Sequence, residues 1–214
     1  KDIVEIRTTT GFSMNTLRIA MNDAFMDYQI PMTLSETDFR RMMKQRGLCL
    51  TASRVSLAKD AIAAFWLVSI RDNRAYLISS GTLPEFRARG YSTKIAAAVM
   101  ESLRLKKVIS LQTEVLNSNV VAQGLYRGIG MQHNRSLACC DIVGIKSGNH
   151  SDTPHSRCKW SDLGNEVRAW RDWSPTWQNS DASLSALGDD VECICKMDDE
   201  RVVGYLALIR ATNT

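Results

Sequence analysis

A chain of 214 residues is long enough for one large domain or two small ones, and 44% apolar with 23% charged residues excludes a disordered polymer. The longest apolar run, AIAAFWLVS at 61–69, is too short for a membrane-spanning helix. Charge is divided: residues 1–150 carry 20 Lys+Arg against 12 Asp+Glu, or +8, and residues 151–214 carry 7 against 11, or −4. The first part therefore suits a phosphorylated ligand or a polyanion, although no interleaving of aromatic and basic residues marks a nucleic-acid surface.

In chain order, GFSMNTLRIAMNDAFMDY (11–28) has a helical stripe of Leu17, Ile19, Ala20, Ala24 and Phe25, stopped by Pro31. TLSETDFRRMMKQRG (33–47) predicts a second helix between a Ser35 cap and Gly47. Three strands follow, at 50–60, 61–72 and 74–83, the last broken by Gly81 and ended by Pro84. A helix starting near a Ser92 cap comes next, then an alternating strand, VISLQTEVL (108–116), with Ile109, Leu111, Thr113 and Val115 on one face. A short helix spans 119–130, and 131–145 returns as a strand.

KSGNHSDTPHSR (146–157) has no apolar residue and reads as a linker. Beyond it, SDLGNEVRAWRDW (161–173) is helical with Ser161 as cap, 181–188 is a short helix, and 191–209 is a hairpin around DDE. This second part repeats the first. Residues 25–43 align with 170–187, each an aromatic-x-Asp-aromatic motif, a Pro and a short capped helix. Residues 54–73 align with 193–213, both hairpins, and no counterpart of 74–145 follows. The expected domains are 1–145, a linker at 146–157, and a partial copy at 158–214.

The six cysteines, Cys49, Cys139, Cys140, Cys158, Cys193 and Cys195, form no disulfide framework, and reduced thiols point to the cytoplasm. His150, His155 and Cys158 fit no standard zinc spacing, so no metal is expected. KDIVEIRTTT lacks an apolar signal core, so no signal peptide is expected; it also lacks an initiating Met, as a processed or trimmed chain would.

The stretch EFRARGYSTKI (85–95) joins the third strand to the helix. A helix N-terminus offers unpartnered N–H groups and positive dipole charge, which suit a phosphate. Gly90 removes the Cβ from the approach, Ser92 and Thr93 add hydroxyls, and Arg87 and Arg89 add charge. A plain capped loop is the alternative. Neither the P-loop order nor the three-glycine dinucleotide fingerprint is present.

GTLPEFRARGYSTKI resembles the acetyl-CoA-binding motif of the GNAT N-acetyltransferase superfamily, V-x-P-x-x-R-x-x-G-[IY]-[GAS], at Leu83, Pro84, Arg87, Gly90, Tyr91 and Ser92. VLNSNVVAQGLYRGIGM resembles the second signature of that family, with Val115, Asn119, Ala122, Leu125, Tyr126 and Gly130 matching and Met131 in place of Phe. The resemblance covers roughly residues 3–145. It implies an α/β fold, a mixed and mostly antiparallel sheet with a splay between two central strands and flanking helices, followed here by the partial copy. It implies that backbone groups near Thr82 and Leu83 take the pantetheine arm of acetyl-CoA, and that N–H groups from Arg89 to Thr93 take the pyrophosphate. An amine attacks the thioester directly, so no cysteine nucleophile is needed. Asn119 caps its helix and reaches towards the cofactor.

Tyr126 is the candidate general acid, the alternative being a helix tyrosine packed on the sheet. Glu114 is the candidate base, with Glu85, Asp27, a water chain or a neutral amine as alternatives. The acceptor, a small-molecule or protein amine, would meet Asp27, Tyr28 and Trp66. No nucleic-acid or membrane partner is expected, and pairing into a homodimer is left open. An N-acetyltransferase is the first reading; a non-catalytic acyl-CoA sensor or assembly module is the second.

Overall fold

The computed structural model describes residues 4–29, 32–140 and 155–209. The chain divides into two compact units, 1–131 and 132–214. The first therefore closes at Met131, earlier than the expected boundary at 145.

Unit 1 is built on a five-stranded sheet in the order β1-β2-β3-β4-β5. Its strands are β1 (Glu5–Thr8), β2 (Arg54–Ala58), β3 (Ala61–Arg71), β4 (Arg74–Thr82) and β5 (Ser110–Gln112). Pairing is antiparallel except between β4 and β5, which run parallel. Ile62 to Val68 of β3 are buried without interruption, as a central strand covered on both faces requires. α1 (Met14–Ala24) and α2 (Glu36–Arg46) pack together, and α1 lies against β3 and β4. On the other face, α3 (Tyr91–Leu105) packs its Ile95, Ala96, Val99 and Leu103 against Ala64, Trp66, Val68 and Leu77. α4 (Val120–Gly128) adds Tyr126 to the same cluster.

Local chemistry explains most element ends. Ser35 Oγ accepts the Asp38 N–H at 3.1 Å, and Gly47 takes the left-handed conformation that closes α2, both as expected. Ser13 caps α1 in the same way, accepting from Thr16 N–H. α1 is shorter than 11–28. Its buried stripe is Leu17, Ala20, Met21 and Ala24, whereas Ile19 is 44% exposed. Gly81 does not break β4. It sits where a Cβ would lie 2.7–2.8 Å from the Phe65 ring and Ala24 Cβ, so glycine is needed for strand and helix to approach. β5 keeps only three of the nine expected residues, and Ile109 is exposed. Residues 132–140 form no strand, and the rest of the expected strand at 141–145 lies outside the described residues.

Unit 2 carries a three-stranded antiparallel sheet, β6 (His155–Lys159), β7 (Val191–Asp198) and β8 (Arg201–Ile209), in that order. The expected linker therefore ends before His155. The expected helix at 161–173 shrinks to a 3-10 turn, Trp160–Asp162, and α5 (Asn165–Arg168), capped by Gly164 instead of Ser161. α6 (Asp181–Leu187) follows. Trp160, Leu163, Val167, Leu184, Leu187, Val191, Cys193 and Cys195 make its core.

The hairpins of the two units share two irregularities. The first turn residue has positive φ in both, Lys59 at 54° and Asp199 at 50°. Both ladders then shift by one residue, at Ala63 of β3 and at Val203 of β8.

Candidate active site

The parallel β4–β5 ladder stops at the Tyr76–Gln112 rung, while β4 continues to Thr82. A second register shift, at Ile78, bends β4 just past that point. Thr113 has left the ladder and donates its hydroxyl to Leu77 O at 3.1 Å. The two strands thus part, as the resemblance implies. Leu83 N–H donates to Ala63 O at 2.9 Å, and this fixes the phase of the β3–β4 ladder. By alternation, the N–H and C=O groups of Ser80 and Thr82 turn away from β3, towards the side that β5 has vacated. The Thr82 N–H is therefore placed for a ligand along β4, while its carbonyl accepts from Arg87 Nε. Leu83 departs from expectation, because its N–H is engaged by Ala63 and its carbonyl accepts from Phe86 N–H.

At the head of α3 the N-cap is Gly90, at φ 76°, and not Ser92. Among the described residues, no side chain caps the first N–H groups, those of Tyr91, Ser92 and Thr93. Ala88 also has positive φ, 58°, so the loop between Arg87 and Tyr91 turns twice through the left-handed region. The Ser92 hydroxyl instead accepts the indole N–H of Trp66 at 3.0 Å. Trp66 is fully buried and cannot line an acceptor site, which corrects its expected role.

Arg87 and Asp27 are also redirected. The guanidinium donates Nη1 to Asp27 Oδ2 at 2.6 Å, Nη2 to Asp27 Oδ1 at 2.8 Å and to Ala24 O at 3.0 Å, and Nε to Thr82 O at 3.2 Å. Arg87 thus ties the end of α1 to β4, and Asp27 holds Arg87 instead of facing solvent alone. Its carboxyl sits below the usual range because of that hydrogen bond. Arg89 lies over the Phe86 ring at 5.9 Å.

Tyr126 reaches the parting of the strands from the α3 face. Its ring packs edge-on to Trp66, with centroids 6.1 Å apart, and its hydroxyl shares a 3.0 Å hydrogen bond with Ser80 Oγ. Burial pushes its phenol above the ordinary tyrosine value, opposed by its hydrogen bonding with Ser80 and Thr113. It therefore stays protonated through neutral pH and can act as a proton donor. On the opposite face lies Tyr76, between Ala75 and Leu77 in β4. Burial and the exposed Glu114, which hydrogen-bonds to it, push the Tyr76 phenol up to about 12. Tyr126 and Glu114 thus stand on opposite faces of the sheet where it parts.

Asn119 caps α4 through Oδ1, accepting from Ala122 N–H at 3.0 Å, and donates Nδ2 to Tyr28 OH at 3.1 Å. Ser118 donates to Gln29 Oε1 at 2.5 Å beside it. The segment after α1 therefore docks on the head of α4, next to the parting. Ser80, Thr113 and Tyr76 were not singled out from the sequence. The available signal was the pair Ser79–Ser80 inside an otherwise apolar strand. Among the described residues, no three His, Cys, Asp or Glu side chains cluster as a metal site, and no helix is long and apolar enough to cross a membrane.

The family model described as "Acetyltransferase (GNAT) family" matches residues 16–131, more than half of the chain. A 72-residue stretch is 33% identical to a [Ribosomal protein bS18]-alanine N-acetyltransferase of Haemophilus ducreyi; it is 34% of this chain and half of that relative's length. Two solved structures share the fold. The ribosomal-protein-S18-alanine N-acetyltransferase of Escherichia coli has a TM-score of 0.50 at 20% identity, over 60% of this chain and 77% of that one. A complex of AAC(6')-Iy with the bisubstrate analogue CoA-S-monomethyl-acetylneamine has a TM-score of 0.51 at 17% identity, over 67% of this chain and all of that one.

Proposed function

The chain belongs to the acetyltransferase (GNAT) family, and from that premise we propose that it transfers an acetyl group from acetyl-CoA to an amine by direct attack. The observation that carries the reading is the parting of β4 and β5, with the Tyr126 hydroxyl at its edge and the uncapped head of α3 beside it. The pantetheine arm pairs with Ser80 and Thr82 of β4. The pyrophosphate takes the N–H groups from Arg89 to Thr93, with the left-handed Gly90 turning the chain into the helix. Leu83 and Arg87 support this cradle from behind.

The amine nitrogen attacks the thioester carbonyl, the C–S bond breaks, and the departing sulfur takes the Tyr126 proton. The proton lost by the amine goes to Glu114 or to water on the opposite face. The acceptor enters past the segment containing Tyr28. The curated relative is named for a ribosomal-protein alanine and one fold neighbour holds an acetylneamine analogue, so both point to amine acceptors, one of protein and one of small-molecule type. Free cysteines fit a reducing compartment, the cytoplasm.

The shared hairpin irregularities support reading residues 158–214 as a partial second copy, equivalent to β1–β3 with its helices. That copy holds neither cofactor signature. The sensor reading remains the alternative. One assay separates the two: release of free CoA thiol from acetyl-CoA with alanine-ended peptides and aminoglycosides. Wild-type release, reduced by Tyr126→Phe and abolished by Gly90→Glu, supports the transferase. Tight acetyl-CoA binding without release on any amine supports the sensor.

A further inference from the structure

We propose that Ser80 is the positioning residue for the Tyr126 hydroxyl, holding it towards the place where the thiolate departs; this rests on the reading of Tyr126 as general acid. Three observations converge on Ser80. It lies on the vacated side of β4, two residues past the irregularity at Ile78. Its hydroxyl is 3.0 Å from the Tyr126 hydroxyl, and its side chain shares the α3 face with Trp66, its partner across the β3–β4 ladder. Trp66 packs edge-on to the Tyr126 ring, so the ring is held by packing and the oxygen by Ser80.

Thr113, one residue past the end of β5, completes the arrangement. Its own proton is committed to Leu77 O, which leaves its oxygen free to accept. Among the described residues the Ser80 hydroxyl has no such commitment, so its O–H can turn to donate to the Tyr126 oxygen. As the C–S bond breaks, Tyr126 gives its proton to sulfur and Ser80 donates to the tyrosinate left behind. When Tyr126 regains a proton from the amine through solvent, Ser80 returns to its starting geometry. A hydrogen bond to a charged oxygen is stronger than one to a neutral oxygen, so the interaction grows as the proton leaves.

The test uses the full chain with Ser80→Ala, Ser80→Thr, Tyr126→Phe and the Ser80→Ala/Tyr126→Phe double variant. Two readouts are taken. In the first, the Tyr126 phenol is titrated by NMR in protein carrying 13C-labelled tyrosine, the signal being assigned from Tyr126→Phe. Ser80→Ala should shift the titration to higher pH and Ser80→Thr should leave it in place. In the second, thiol release from acetyl-CoA should fall about tenfold in kcat for Ser80→Ala, with little change in KM for acetyl-CoA. The double variant should be no slower than Tyr126→Phe alone.

An unmoved titration, or a Ser80→Ala penalty that persists in full without the Tyr126 hydroxyl, overturns the proposal. If Tyr126→Phe itself leaves kcat intact, the general-acid reading fails instead, and the titration still decides whether Ser80 holds the phenol.

Discussion

Arg87 closes its guanidinium around both carboxylate oxygens of Asp27, 60 residues earlier in the chain. Two groups that look like separate ligand contacts in the sequence satisfy each other. The folded Asp27 titrates below its ordinary value of about 3.9, so the contribution of the pair is fully present above pH ~4 and is lost as pH falls through the folded value. Asp27→Asn should lower the melting temperature at pH 7, and the gap from wild type should close as the pH falls below about 4. Thermal unfolding followed by circular dichroism at pH 7, 5 and 3 measures it. A gap as wide at pH 3 as at pH 7 would mean the carboxylate charge is not what matters.

Ser92→Ala removes the acceptor of the buried Trp66 indole N–H. An unmet buried donor costs about 1–3 kcal/mol. The loss should be smaller in a Trp66→Phe background, where no indole N–H needs a partner. Urea unfolding of the two single variants and the double variant gives the coupling; strict additivity would show that the bond contributes nothing.

Two glycine substitutions should act in opposite directions. Gly81→Ala drives a methyl group into Phe65 and Ala24 and should destabilise by about 1–3 kcal/mol. Gly124→Ala, inside α4 with nothing within 4 Å, should stabilise by up to ~1 kcal/mol. Equal midpoints for the two variants in urea would contradict the packing at Gly81.

The two left-handed residues of the cradle make another such pair. Ala88 bears a Cβ at φ 58°, so Ala88→Gly should relieve roughly 1 kcal/mol of strain. Gly90→Ala adds a similar strain at φ 76° and should also weaken acetyl-CoA binding, read by calorimetry. Unchanged binding would detach Gly90 from the ligand.

Short-range chemistry was legible in the sequence: the Ser35 and Gly47 ends of α2, the Asn119 cap, the tight turn between β2 and β3, and both signatures. These depend on residues within a few positions of one another. What escaped depends on distant partners. Ser92 reads as a cap, but Trp66 in β3 claims its oxygen. Gly81 reads as a strand breaker, yet it is where Phe65 and Ala24 come close. Asp27 and Trp66 read as acceptor contacts until the fold pairs one with Arg87 and buries the other. The shortness of β5 follows from Thr113 leaving the ladder for Leu77 O, which a regular alternation cannot signal.

The phase set by Leu83 on Ala63 leaves its mark on the clock of amide exchange. In β4 the N–H groups of Gly81 and Ser79 face β3 and should retain their protons for long times, while those of Ser80 and Thr82, one residue away, should trade with deuterium quickly. A ligand lying along the vacated side would slow that second pair alone. Strand β4 would then show a two-beat protection pattern without ligand and a uniform one with it, a signature readable residue by residue without knowing the acceptor.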